Sequence, residues 1–135
     1  MFAWFRKTLN RREHGFTLIE LVVVLAILGI LIALAVPRYL GARKKAYKAE
    51  ADNVLQEAKT LEWAYYQQYN LFDITGNNIG LVTPGNMHWA SPAITGTTNA
   101  LVTIIMSGTV SPLAAADMVS IFLYSDGSSA GGSTF

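Results

Sequence analysis

The chain has 135 residues, 52% of them hydrophobic and 14% charged, with a formal charge of +1 and no cysteine. That length holds at most one domain beyond any membrane segment, and the lack of cysteine excludes a disulfide, a zinc–thiolate site and a thiol nucleophile. Every Lys and Arg lies at or before Lys59, while Glu62, Asp73, Asp117 and Asp126 are the only charges after it, so the distal half offers no electrostatic footprint for nucleic acid.

Residues 1–14, MFAWFRKTLNRREH, are short and basic and read as a leader. One reading makes them the start of an ordinary secretory signal, cut at the A-x-A site of Ala33 and Ala35, which would release a soluble binding module beginning Val36-Pro37. Against it, the apolar run that follows is long for a signal core and contains Glu20, for which a discarded signal has no use.

From Leu21 to Val36 no side chain is polar. Counted from Phe16, the run is long enough, at about 1.5 Å per residue, to cross a hydrocarbon layer of roughly 30 Å as a helix. Glu20 is the one carboxylate in it, and an acid near the end of a membrane span is costly enough to imply a use. With no basic residue near it on the same helical face, that use points to a partner. A cut after Gly15 would free an α-amine on Phe16, mostly cationic at neutral pH. Helices side by side and staggered by about a turn would bring this cation to Glu20 of a neighbour. Such a pair in low dielectric sets register more than it adds stability.

Gly15-Phe16-Thr17-Leu18-Ile19-Glu20, preceded by a basic leader and followed by an unbroken apolar run, resembles the class III signal of type IV pilins and pseudopilins. The resemblance covers about the first third of the chain, with Gly29 and Pro37 where family members have a flexible glycine and a helix kink; Glu13 and His14 depart from the basic residue that often precedes the glycine. It implies cleavage between Gly15 and Phe16 by a prepilin peptidase, N-methylation of Phe16, and assembly through Phe16, Thr17 and Glu20 into a homo-oligomeric helical filament. The implied partners are the inner membrane and the pilus assembly machinery. The implied location is the bacterial inner membrane first, then an extracellular or periplasm-spanning filament. Losing the leader with Gly15 would change the side-chain charge from +1 to −2. The positive-inside rule does not orient the span, because Arg38, Arg43, Lys44, Lys45 and Lys48 balance the basic leader. That second cluster suits anionic headgroups, acids of an adjoining subunit, or plain solvation.

After Pro37, which cannot donate to the helical ladder and should bend or loosen it, Tyr47, Ala51, Val54, Ala58, Leu61, Tyr65 and Tyr69 recur at helical spacing. Lys48 and Asp52 stand one turn apart for a modest ion pair. A single helix from about Phe16 to about Asn70 follows, apolar all round in its first half and one-faced in its second. Residues 70–86 read as connection, with turn signals at Gly76-Asn77-Asn78, Gly80 and Pro84-Gly85. Met87 to Ala90, Leu101 to Met106 and Met118 to Tyr124 are β-prone. Three or four antiparallel strands covering the helical stripe make an α+β fold: a long N-terminal α-helix packed in its second half on a small antiparallel β-sheet head. The divisions expected are a leader over 1–15, a transmembrane and assembly half over 16–37, an amphipathic half over 38–70, and connection plus head over 71–135. The Gly/Ser-rich 127–135 tail reads as mobile unless pinned, and without a disulfide hydrogen bonds, neighbours or an ion must hold it.

No constellation for catalysis emerges. Gly127-Ser128-Ser129-Ala130-Gly131 matches G-x-S-x-G but lacks a following helix and a downstream histidine. His14 and His88 are the only histidines, which argues against a metal cluster or a triad. Asp73 with Asn77 and Asn78 suits a turn better than a calcium loop, and Asp117 with Asp126 is thin support for calcium. Trp63, Tyr65, Tyr66 and Tyr69 suit helix–sheet packing better than ligand stacking. No cofactor is implied, and the residues point to a structural filament subunit rather than an enzyme. The runner-up within the same architecture is a type II secretion pseudopilin or a minor pilin. Adhesion, twitching motility and DNA uptake are roles of the family among which these residues do not choose.

Overall fold

A computed structural model describes residues 15–135, so the leader reading of 1–14 lies outside the described residues. The single long helix is present: α1 spans Leu18–Tyr69, 52 residues, with Pro37 inside it. It stops at Asn70, whose φ of 56° is a left-handed conformation that a helix cannot continue through. The chain divides between Arg38 and Tyr39 into two compact units. In the first, every described side chain is exposed.

The second unit holds a four-stranded antiparallel meander, β1 Ala93–Thr97, β2 Leu101–Ser107, β3 Met118–Tyr124 and β4 Ser129–Ser133, ordered β1-β2-β3-β4. In the central pair, Val102 faces Leu123, Ile104 faces Ile121 and Met106 faces Val119. All six are buried while their neighbours along the strands are not, the period of two that puts alternate side chains on one face. They share a core with Ala51, Val54, Leu55 and Ala58 of α1 and with Trp89 and Leu113, in two adjoining clusters. Ala51 and Ala58 are fully buried, and their lack of bulk lets the helix lie close to its neighbours. The Trp89 indole donates to the Tyr47 carbonyl at 2.7 Å, so a buried polar atom is satisfied while its ring packs.

Polar contacts fasten the periphery. Lys48 and Asp52 form the expected one-turn ion pair at 3.1 Å. Lys44 reaches Asp117 at 2.8 Å, which, with the Ala114 N–H, holds the Asp117 carboxyl below its usual range. Arg43 lies over the Tyr47 ring and donates to its hydroxyl. Three of the five cations from Arg38 to Lys48 are thus engaged within the chain, Lys48 as expected and Arg43 and Lys44 in contacts that the sequence does not announce. His88, expected as an ordinary turn or strand residue, pairs with Glu50 at 2.9 Å and stacks on Tyr47. Asp73 closes a turn through Thr75 and Asn78, as its neighbours suggested.

Three expectations need correction. Met87 to Ala90 is not a strand; it contributes only the isolated bridge of Trp89 to Gly108. The edge strands β1 and β4 lie where none was foreseen, and the 127–135 tail is pinned, not free. Backbone pairing with β3 recruits it despite its weak propensity, Thr134 bonds through both its N–H and its hydroxyl, and Phe135 stacks on Trp89. Hydrogen bonding therefore does what a disulfide would do. Finally, the buried stripe of α1 runs through Leu55 and Glu62, whereas Leu61 and Tyr65 are half-buried and Tyr69 is exposed. At about 100° per residue, Glu62 lies about 40° to one side of Ala58 and Leu61 about 60° to the other, and the core sits on the first side.

Two substitution series check this account. Ile104→Ala should lower unfolding stability by about 2–5 kcal/mol through the cavity it leaves. Gly96 has φ 149° and a Cβ there would run into the Leu101 carbonyl, whereas one at Gly131 would meet only ordinary contact with Ser120. Gly96→Ala should therefore destabilise by more than about 1 kcal/mol and Gly131→Ala should not, as read by denaturant titration.

Candidate functional site: the start of the apolar helix

The site grows from four residues. Gly15, Phe16 and Thr17 precede the helix, and Glu20 falls in its first turn. Thr17 and Glu20 cap the helix reciprocally. The Glu20 Oε2 accepts the Thr17 N–H and the Thr17 hydroxyl, both at 2.8 Å, and the Thr17 Oγ1 accepts the Glu20 N–H at 3.3 Å. This is the T-x-x-E capping box, in which two otherwise orphaned backbone donors are satisfied by two side chains. An acid in the first turn also meets the positive end of the helix dipole.

With no cation near it on its own helical face, Glu20 points to another molecule, yet the donors that meet it belong to its own chain, and Thr17-Leu18-Ile19-Glu20 spells out the motif that supplies them. One oxygen of Glu20 serves both Thr17 donors, and the residue remains exposed. Phe16, Ile19, Val23 and Val24 surround it as a shallow apolar notch of about 390 Å³. Phe16 is 89% exposed, so nothing among the described residues shelters the ring beside the acid.

Beyond the first turn the site is apolar surface. Ile19, Leu21, Val22 and Val24 point in different directions around α1, and all are exposed. The helix is long and apolar enough to cross a membrane. Gly29 has nothing within reach of a Cβ, so packing within the chain does not demand a glycine there. Pro37 removes the N–H that would bond the Ala33 carbonyl, yet the helix assignment continues through it.

Other candidate residues find structural uses. Trp63 and Tyr66 pack on Phe72, Val102 and Leu123, with Tyr66 and Phe72 stacked at 4.5 Å. Ser128 of the G-x-S-x-G match donates its hydroxyl to Asp126 in the β3–β4 turn, with no helix following. Among the described residues no three His, Cys, Asp or Glu side chains gather as a metal site.

The family model described as the prokaryotic N-terminal methylation motif matches residues 10–36. The fimbrial protein EcpC of Eikenella corrodens is 30% identical over 103 residues, 75% of this chain and 67% of that protein. The type IV major pilin protein PilA of Myxococcus xanthus is 35% identical over 71 residues, 53% of this chain and 32% of PilA. The type II secretion system core protein G of Dickeya chrysanthemi is 49% identical over 43 residues, 32% of this chain and 28% of that protein. The chain spans from a third to just under a half of the major pilins it matches from Myxococcus xanthus and Neisseria gonorrhoeae. No solved structure matches it. The capped acid, the exposed apolar helix, the α+β fold and these likenesses agree: the chain belongs to the type IV pilin and pseudopilin family.

Proposed function

We propose that this chain is the structural subunit of a type IV pilus-like filament. It waits in the inner membrane through residues 16–37, is cut after Gly15 by a prepilin peptidase, is N-methylated on Phe16, and polymerises into a filament that leaves the membrane. The amphipathic 38–70 half and the 71–135 region form its head. The observation that carries this reading is an apolar helix exposed on every side that begins with a capped, accessible acid. Lipid shelters such a surface first and copies of the chain shelter it afterwards, so assembly gains packing rather than dehydration.

Thr17 positions Glu20 in this scheme. By holding Oε2 it satisfies part of a carboxylate in an apolar setting and fixes where the rest of it points. A neighbour's Phe16 amine then completes the pair, which selects the stagger between subunits. Gly29 and Pro37 supply local give along the helix during extraction from the membrane.

The second reading, a secretion pseudopilin, is favoured by the 49% identity to the type II secretion core protein. That stretch covers 32% of the chain, and the longer match to a fimbrial protein favours the pilus.

Glu20→Val should leave membrane insertion intact or improved and abolish filaments; sheared filament yield beside the membrane pool, by immunoblot, reads both, and a wild-type yield would refute the pairing. Thr17→Val should lower filament yield several-fold while Thr17→Ser retains it, since only the latter keeps the cap, worth about 1 kcal/mol. Mass spectrometry of the mature terminus should find N-methylated Phe16, whereas a terminus at Val36 would indicate a released soluble module.

A further inference from the structure

Glu62 lies among the apolar residues of α1 at 0% exposure, on the face it shares with Ala51, Leu55 and Ala58. Ala58, one turn before it, belongs to one core cluster and Tyr66, one turn after, packs on the other. Its Oε2 accepts a single hydrogen bond, from the Asp73 N–H at 3.1 Å, and its Oε1 has no partner. A sealed carboxylate with one donor is far from satisfied.

The groups near it do not supply a counter-charge. On α1, Lys59 and Tyr66 lie on adjoining turns but make no hydrogen bond to it, and no strand of the sheet contains a charged residue. Tyr124 ends β3 with its side chain exposed, and Asp126 in the turn after it is occupied with Ser128. From the connection after α1 comes Asp73. Burial raises the Asp73 carboxyl, but donors from Thr75 and Asn78 outweigh this and hold it below its usual range, so it faces Glu62 as an anion.

We propose that Glu62 is a proton-operated latch: neutral, it stays buried against the 70–78 connection and accepts the Asp73 N–H; ionised, the cost of its buried charge and its repulsion from Asp73 outweigh that hydrogen bond and let the connection go. In the closed form the proton sits on Oε1, the oxygen without a partner, and Oε2 accepts as a carbonyl. A buried O–H without an acceptor costs less than a buried charge. Beside Asp73 in the same connection is Phe72, 2% exposed and packed with Val102 and Leu123. Opening therefore uncovers an apolar patch on the head, and pH governs its exposure.

Burial pushes the Glu62 carboxyl up, the Asp73 N–H pulls it down, and the Asp73 charge adds to the rise, placing it at about 7 against an ordinary 4.5. The closed form thus holds a proton that the open form releases between those values. Closing is strongest at or below 4.5, weakens by about tenfold per pH unit as pH rises, and levels off above about 7.

Amide hydrogen exchange of the intact chain in detergent, corrected for the intrinsic rate at each pH, tests this at Asp73 and Asn78. Protection should fall about tenfold per unit between about pH 5 and about pH 7 and then level off, while Glu62→Gln should stay flat across the range. Asp73→Asn, which removes the facing charge and keeps the backbone donor, should move the levelling point to lower pH. An infrared band of a protonated carboxyl in the unsubstituted chain, titrating near neutrality, reads the same proton without relying on the Gln variant folding. Constant protection in the unsubstituted chain, a parallel fall in Glu62→Gln, or no such band at about pH 5 would each overturn the latch.

Discussion

A helix whose backbone is hydrogen-bonded almost wholly within itself, yet whose apolar side chains find no cover among the described residues, sets the terms for everything else in this protein. Between Leu21 and Val36 the helical ladder satisfies the N–H and C=O groups that lipid could not, except the Ala33 carbonyl, which Pro37 leaves without its donor. The side chains there have nothing to pack on among the described residues and are all exposed. Water is the one surrounding they cannot tolerate at length. Since hydrocarbon and a bundle of identical helices shelter them equally well, the hydrophobic effect does not choose between the two. The choice falls to side-chain packing and to the few polar groups present. In the proposed assembly, this gives Thr17 and Glu20 an influence out of proportion to their size.

The second unit solves the opposite problem, building a stable core from few residues. It has no cysteine to close its end. What it has instead is one helix face of small residues, Ala51 and Ala58, set against the branched and long side chains of Ile104, Met106, Val119 and Ile121. Around that core, polar contacts join segments far apart in sequence: Lys44 to Asp117, Glu50 to His88, Tyr47 to Trp89. Each is modest alone. Together they tie the helix to loops that the sheet itself does not hold, and Thr134 does the same for the last strand.

How much of this the amino-acid sequence discloses follows from where the information resides. LVTIIMS and MVSIFLY alternate cleanly and are rich in β-branched and aromatic residues, so β2 and β3 are legible without a structure. AITGT and SAGGS carry almost no propensity of their own; they are strands because a neighbour offers its backbone, and nothing local records that offer. The long helix and the apolar run are legible from periodicity and length. The capping box is also written in the sequence, as Thr17 and Glu20 three residues apart, but the same carboxylate in an apolar run fits a cation as well as it fits N–H groups. Glu62 was not legible at all: its spacing also fits a solvated face, and only the docking of Phe72 and Asp73 seals it.

Two of the acids on α1 without a cation among the described residues show how one side chain can serve opposite ends. Glu20 and Glu62 each receive backbone help at Oε2, from Thr17 and from Asp73. What differs is access. Glu20 is exposed, so a cation on another molecule can reach it, and its charge can be met without being lost. Glu62 is closed off with its Oε1 alone, so no partner larger than a proton can enter while the connection stays in place. An ionised carboxylate that waits for a partner must therefore lie at an accessible end of the helix, and one that answers to pH must lie inside the core. In the roles proposed for them, burial alone, acting on the same functional group along one helix, divides assembly from regulation.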